Sequence, residues 1–267
     1  MGLENDGASL RRLNELAEAV FDGALVAVPK DDCGGSIAAI GAIAARGARS
    51  ISLLCVPTGG LQADLLIGAG VASALESAGT SLGEHGPAPR FQAALASRAL
   101  ALTDSTCPAV YASLRGLIGS DVLAHRRDWK TIENPFAAGD PVVVLPAIRP
   151  DLTLFHAPLA DRFGNVYVGR QRELAVMAHA ARSTWVTVER VCDDDLLADS
   201  AFAPGVIPAI YLDGIVLAPG GARPLALPGV YECDEEAIAT YARAARSEEG
   251  FRAWMRQRFA SNEPVAA

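Results

Sequence analysis

With 267 residues, 51% of them hydrophobic and 20% charged, the chain can bury a large core and reads as one large or two closely packed α/β units. Its formal net charge is -8, and its 23 basic residues include no run of five like charges. That balance argues against a nucleic-acid partner and against a polybasic membrane contact.

Five cysteines (Cys33, Cys55, Cys107, Cys192 and Cys233) are odd in number, widely spaced and free of any C-x-x-C pair, the pattern of reduced thiols more than of a disulfide frame or zinc site. No stretch is apolar for long enough to span a bilayer, and Glu4, Asp6, Arg11 and Arg12 stand where a signal peptide would turn apolar. A cytoplasmic protein is expected.

In chain order, Ser9 is placed to cap a helix running to Val20, with Leu10, Leu13, Leu16, Ala17 and Val20 at helical spacing. A short strand, Ala24 to Val28, then leads through Pro29-Lys30-Asp31-Asp32-Cys33-Gly34-Gly35 into an alanine-rich helix opened by Ser36 and closed by Gly47. Ile51 to Val56 is the next strand, so the segment is a βαβ unit with a parallel strand pair. The glycine loop lacks G-x-G-x-x-G and G-x-x-x-x-G-K-[ST] spacing, which favours a tight turn over a nucleotide cradle.

From Thr58 to Gly86 small residues dominate, bringing backbone close to a second segment or to a ligand. Glu84 and His85 in this stretch are candidates for acid/base work, weighed against an ordinary solvated loop. Helices are expected over Ala88 to Leu100 and Ser105 to Ile118, followed by a long polar connection from Val122 to Pro141.

The apolar runs Val142 to Leu145 and Leu152 to Phe155 read as strands covered on both faces at the centre of a parallel or mixed sheet. Asn165 to Val168 is a third strand, and Thr184 to Val188 a fourth with Glu189 at its end; a helix lies between them from Gln171 to Ala181. His156 closes the second run, and its role is open. Asp161 and Asn165 are expected to hold the turn around Gly164 with their own side chains. The histidines at 85, 125, 156 and 179 lack H-x-x-x-H spacing, so no metal site is expected. The tail, Glu235 to Phe259, carries Phe251, Trp254, Met255 and Phe259 at i, i+3, i+4 and i+8, a stripe for core or subunit contact.

Taken together, these segments resemble the alpha (A) subunits of family I CoA-transferases, in the glutaconate CoA-transferase-like branch. The resemblance is carried by I-G-A-G at 67 to 70, S-L-G-E-H-G-P-A-P-R-F at 81 to 91, P-A-I-R-P-D at 146 to 151 and H-A-P-L-A-D-R-F-G-N at 156 to 165. It continues through T-V-E-R-V at 187 to 191, D-G-I-V-L-A-P-G-G-A-R-P at 213 to 224 and the Tyr231 segment, covering roughly residues 20 to 260 in order.

The resemblance implies a three-layer α/β/α protein with a mostly parallel sheet, of the NagB/RpiA/CoA-transferase-like fold. A single unit over residues 1 to 267 is expected, with C-terminal helices at about 235 to 260 packing on it. It also implies a beta-type partner in a heterodimer or α2β2 assembly, no permanently bound cofactor, and a CoA thioester and a carboxylic acid as substrates. In that family a glutamate of the beta chain forms the covalent thioester with CoA.

This chain would contribute the acyl pocket and backbone donors, with Gly34, Gly35, Ser77, Ser81, Glu84, His85 and Arg90 as candidate substrate or oxyanion residues and Glu84 as the lone catalytic candidate. One departure stands out: the family's glycine pair after the first strand is replaced by Pro29-Lys30, with Gly34-Gly35 displaced, and proline has no N–H to give. Ring-opening hydrolysis of a cyclic CoA thioester and metabolite binding without catalysis are the alternatives.

Overall fold

A computed structural model describes residues 10–115, 118–120 and 129–259. The elements in chain order are α1 (Leu13–Ala19), β1 (Leu25–Pro29), α2 (Ile37–Arg46), β2 (Ile51–Val56), α3 (Leu61–Gly68), β3 (Ala72–Ser77), α4 (Pro89–Ala96), β4 (Ala101–Asp104) and α5 (Cys107–Arg115). Short strands β5 (Ile118–Ser120), β6 (Lys130–Ile132) and β7 (Val142–Val144) precede β8 (Leu152–Ala157), β9 (Leu159–Asp161) and β10 (Val166–Tyr167). Then come α6 (Arg172–Ala180), β11 (Thr184–Val188), β12 (Val191–Cys192), β13 (Val206–Ile207), β14 (Gly214–Leu217), α7 (Glu235–Ala244) and α8 (Glu248–Phe259).

Seven strands form one sheet in the order β14-β11-β8-β1-β2-β3-β4, and every neighbouring pair in it is parallel. The chain builds outward from β1 to β4, then returns to the other side of β1 and builds outward again from β8. Because each parallel crossover is right-handed, reversing the direction of travel moves the connecting helices to the opposite face. Accordingly α2, α3 and α4 share one apolar core with residues of α1, α7 and α8, while residues of α5 and α6 form the second core. The result is the expected three-layer α/β/α arrangement. The point of reversal lies between β1 and β8, where open parallel sheets leave a crevice beyond the strand ends.

Local chemistry explains most boundaries. Ser36 caps α2 by accepting from the Ala39 N–H at 3.3 Å, and Gly47 ends it with φ +75. The first helix begins at Leu13 because residue 11 is drawn into extended pairing, the Arg11 N–H donating to the Ile215 carbonyl at 2.8 Å; Ser9 lies outside the described residues. Asp234 caps α7, and the Ser247 hydroxyl accepts from the Gly250 N–H at the start of α8.

Two expectations are corrected, the sheet that holds one strand and the end of one helix, and a third strand is found in a layer of its own. Val142–Val144 does not enter the central sheet; it pairs antiparallel with β5 and β6 in a small separate sheet. Ile118, expected to end a helix, belongs to β5, and residues 121–128 of the long connection lie outside the described residues. The Val166–Tyr167 strand belongs to a four-stranded layer, β12-β9-β10-β13. Only Leu152 to Ala157 of the two apolar runs is central, and all six of its residues are buried.

The aromatic stripe of α8 is intramolecular core. Phe251 is buried, Trp254 packs edge-on to Tyr241 at 4.8 Å, and the Phe259 ring fills the space that a side chain at Gly41 would need. Gly68 of the I-G-A-G motif has the same reason: its missing side chain makes room for Phe251 and the Arg90 stem. No described helix is long and apolar enough to cross a membrane.

Candidate functional site

Two clefts open at the carboxyl edge of the central sheet, one on each side of the β1/β8 reversal. The first, about 1020 Å³, is lined by Lys30 to Asp32, by Thr58 to Leu61 and by Gly79 to His85, closed by Leu225, Cys233, Glu235 and Ile238. The second, about 750 Å³, is walled by Pro158, Tyr167, Gly169 to Gln171, Glu189, Arg190, Phe202 and Pro228 to Val230.

The first cleft holds part of the residue set expected from the sequence. Ser81 and Glu84 are exposed on its wall, and His85 donates or accepts at 2.7 Å with the Glu235 carboxylate, a contact that holds Glu235 below its ordinary value. Ser77 is buried beneath them. Its hydroxyl accepts from the Gly59 N–H at 3.1 Å and donates to the Gly79 carbonyl at 2.6 Å, so it fixes the two glycine turns that form the floor.

Asp31 accepts from the Leu61 N–H at 2.5 Å and from Gln62 Nε2 at 3.2 Å, holding the start of α3. Burial raises its carboxyl above the ordinary value against the opposing pull of those bonds. Arg90 does not reach this cleft. It pairs with Glu248 and lies 5.4 Å over the Phe251 ring, on the α8 side.

Gly34 and Gly35 are buried at the reversal point. The turn Asp31–Cys33 that follows Pro29-Lys30 puts Gly34 in the left-handed region at φ +90, where a Cβ would strike the His156 carbonyl oxygen. The Gly34 carbonyl in turn accepts from the His156 N–H at 2.7 Å. A Cβ on Gly35 would lie 2.6 Å from Gln62 Nε2. Both glycines are therefore required by close packing.

His156, whose role the sequence leaves open, is the centre of a network. Its ring is fully buried; Nε2 is 2.7 Å from Glu189 Oε1 and Nδ1 is 2.7 Å from Thr187 Oγ1, which lies 2.7 Å from Ser36 Oγ. Burial lowers the His156 pKa despite the neighbouring carboxylate, so the ring is neutral. A carboxylate only accepts, so Nε2 carries the proton and Nδ1 accepts from the Thr187 hydroxyl, which accepts from Ser36. The longer 3.4 Å contact from Thr187 to the Phe155 carbonyl is the competing use of that proton.

Glu189 emerges from the carboxyl end of β11, with 14% of its side chain exposed on the second cleft. Oε1 accepts from His156, from the Tyr231 hydroxyl at 2.6 Å and from the Gly220 N–H at 3.0 Å; Oε2 accepts from the same N–H at 2.9 Å. Burial alone would raise its carboxyl, but those donors outweigh it and hold the group below its ordinary value. Burial and donation to Glu189 push the Tyr231 phenol upward. The sequence does show Glu189 at a strand end, the position from which polar groups reach a crevice. Nothing local points to partners 33, 31 and 42 residues away.

Asp161 and Asn165 behave as expected of turn residues. Asp161 Oδ1 accepts from the Phe163 and Asn165 N–H groups, both at 2.9 Å, and Oδ2 accepts from Asn165 Nδ2 at 2.8 Å. Among the described residues, no group of three His, Cys, Asp or Glu side chains is placed to hold a metal ion.

No family model matches the chain. It is 36% identical over 149 residues to the A subunit of 3-oxoadipate CoA-transferase from Pseudomonas knackmussii, a match covering 54% of this chain and 50% of that protein. With the A subunit of glutaconate CoA-transferase from Acidaminococcus fermentans it shares 32% over 130 residues, 48% of this chain and 40% of the relative. The matches thus span half or less of the curated relatives' length.

The solved structure of glutaconate CoA-transferase from the same organism superposes with a TM-score of 0.84 at 24% identity, over 94% of this chain and 88% of that one, which establishes the shared fold. The solved decarboxylase AibA/AibB, in a cysteine-to-serine variant, matches at 30% identity and TM-score 0.80 over 92% of this chain and 97% of that chain. The chain is thus similar in sequence to CoA-transferase A subunits over about half its length, shares the fold of glutaconate CoA-transferase, and is related over nearly its whole length to the decarboxylase AibA/AibB.

Proposed function

We propose that this chain is the alpha subunit of a heteromeric CoA-transferase, moving CoA between an acyl-CoA and a carboxylic acid with a beta-type chain as partner. The observation that carries this reading is the state of the carboxylates at the sheet's carboxyl edge. Asp31 and Glu189 are each committed to several donors, and Glu84 sits on an exposed turn with no base or orienting group bonded to it among the described residues. A nucleophile needs an adjacent activating or positioning group. Asp32 and Glu235, which also line the cleft, are exposed and paired with Lys30 and His85 at its surface. A glycine-lined cleft whose carboxylates are committed to internal partners or stand in solvent suits a protein that completes a site whose glutamate belongs to another chain.

In that scheme the partner's glutamate attacks the thioester carbonyl to give an acyl-glutamyl anhydride and free CoA thiolate. The thiolate then attacks the anhydride at the glutamyl carbonyl, forming glutamyl-CoA thioester and releasing the first acid. A second carboxylate reverses the sequence. The first cleft would supply the acyl pocket, with Ser81 and the Gly79 to Gly83 backbone on its wall.

The test is co-expression with a beta-type chain, followed by CoA exchange between an acyl-CoA and a labelled free acid. Label appearing in the acyl-CoA pool supports transfer. Loss of carbon dioxide from the acyl group would instead favour the second reading, decarboxylation, which the match to AibA/AibB over nearly its whole chain brings forward. Addition of water without an acceptor would indicate hydrolysis.

A further inference from the structure

The two clefts are joined through the protein by one continuous line of hydrogen bonds. On the wall of the first, Asp31 Oδ1 accepts from Gln62 Nε2 at 3.2 Å, and the same nitrogen donates to the Pro29 carbonyl at 2.9 Å. Gln62 Oε1 accepts from the Ser36 N–H at 3.1 Å. From Ser36 Oγ the line continues through Thr187 and His156, each step 2.7 Å, to Glu189 on the wall of the second cleft. Ser36, Gln62, Thr187 and His156 are all buried.

The polarity of this line is fixed. The Pro29 carbonyl can only accept and the Ser36 N–H can only donate, so the Gln62 amide has a single orientation. With the His156 ring donating to Glu189, Ser36 feeds both arms, its N–H toward Asp31 and its hydroxyl toward Glu189. The displaced glycine pair makes the closure possible, because a Cβ on Gly35 would strike the Gln62 amide and one on Gly34 the His156 carbonyl. Buried polar groups in such a network hold one another in place, since each broken bond is costly away from water.

We propose that Ser36 and Gln62 are positioning residues that tie the two clefts together, so that a change in the hydrogen bonding of Asp31 is passed to His156 and Glu189. The link itself does not depend on the proposed CoA-transferase activity; its effect on turnover rests on that reading.

The reporter is the His156 proton on Nε2, buried and 2.7 Å from a carboxylate oxygen. It is observed by NMR in the full chain with isotope-labelled histidine and assigned by its loss in His156→Gln. Asp31→Asn, made in the other cleft, should move this resonance by several line widths. Ser36→Ala, Thr187→Val and Gln62→Met cut the line at three different bonds, and any one that melts as a folded protein suffices. Adding Asp31→Asn in that background should leave the resonance where the cut alone puts it. No shift in Asp31→Asn overturns the link, and so does an equal shift in a cut background, which would mark a charge effect through space.

In the assembled enzyme, Asp31→Asn with Glu189→Gln should lose about threefold less kcat/KM for CoA exchange than the product of the two single losses. Gln62→Met should restore additivity. Additive losses without Gln62→Met overturn the effect on turnover. A shift that stands while the wild-type assembly shows no exchange keeps the link and removes the proposed activity; exchange without a shift does the reverse.

Discussion

The two clefts at the sheet's carboxyl edge differ in how their carboxylates are held. In the glycine-lined cleft, Glu84 and Glu235 stand in solvent, and Glu235 is held mainly by one contact to His85. In the other, Glu189 accepts from three separate groups and closes a hydrogen-bond chain that runs through His156 and Thr187 to the cap of α2. The comparison shows that position at a strand end does not by itself confer reactivity. A carboxylate held by three donors is architecture and a fixed acceptor; a loosely held one leaves the site adaptable and dependent on a partner.

The largest effect should follow from breaking the locked side. Glu189→Ala leaves the His156, Tyr231 and Gly220 donors without their acceptor, and buried unmet donors cost about 1–3 kcal/mol each, tempered by water entering the cleft. We expect a loss of about 3 kcal/mol in urea denaturation. A loss below about 1 kcal/mol would mean that the network is ornamental.

Next comes Gly34→Ala, which forces a Cβ into the His156 carbonyl at φ +90 and should cost about 2–3 kcal/mol by the same measurement. Gly35→Ala meets the buried, hydrogen-bonded Gln62 amide and the Leu225 methyl group, and should cost a comparable amount.

The pH response separates the two clefts further. His156 has its pKa lowered by burial, so below the ordinary histidine value of 6.5 the unfolded chain binds a proton that the folded chain refuses. Stability should therefore fall as pH drops below 6.5, by up to about 1.4 kcal/mol per pH unit until the ring protonates in the fold. Glu189, lowered from 4.5, adds a second loss as pH falls through and below that value, because its ionised form is the one the donors hold. In His156→Gln the first decline should flatten, read by urea midpoints between about pH 7 and about pH 5. A parallel decline in the variant would remove His156 as its cause.

The smallest effect belongs to the open cleft. His85→Ala removes an exposed contact and should change stability by less than about 1 kcal/mol, since surface ion pairs contribute little. Glu84→Gln should leave CoA exchange by the assembled enzyme within a few-fold of the parent. Loss of exchange with the fold intact would make Glu84 catalytic.

Much of this fold is legible in the sequence because its signals are local. Ser36 and Gly47 bracket α2, Asp161 and Asn165 hold their own turn, and Leu152 to Ala157 reads as buried because its apolar run is nearly continuous. The assignment of Val142–Val144 to the central sheet fails for a physical reason: an apolar run says that a strand is covered, not which sheet covers it.

The site is legible only in part. Ser81, Glu84 and His85 fall on one cleft because they share one glycine-rich loop, whereas Arg90, a few residues on, is turned by helix α4 toward α8. Glu189 is visible as a residue and invisible as a junction. Its partners come from β8, from the loop after β14 and from the segment at Tyr231, and only the doubly wound topology brings them together.

If this chain shapes the site and another supplies the nucleophile, the covalent intermediate must form on the other chain. The co-purified assembly is incubated with acyl-CoA, the intermediate is trapped by borohydride reduction, and the modified glutamate is located by peptide mass spectrometry. A single reduced glutamate on the beta-type chain, with Glu84 and Glu189 unmodified, is the expected result. A modified glutamate on this chain would overturn that division of labour.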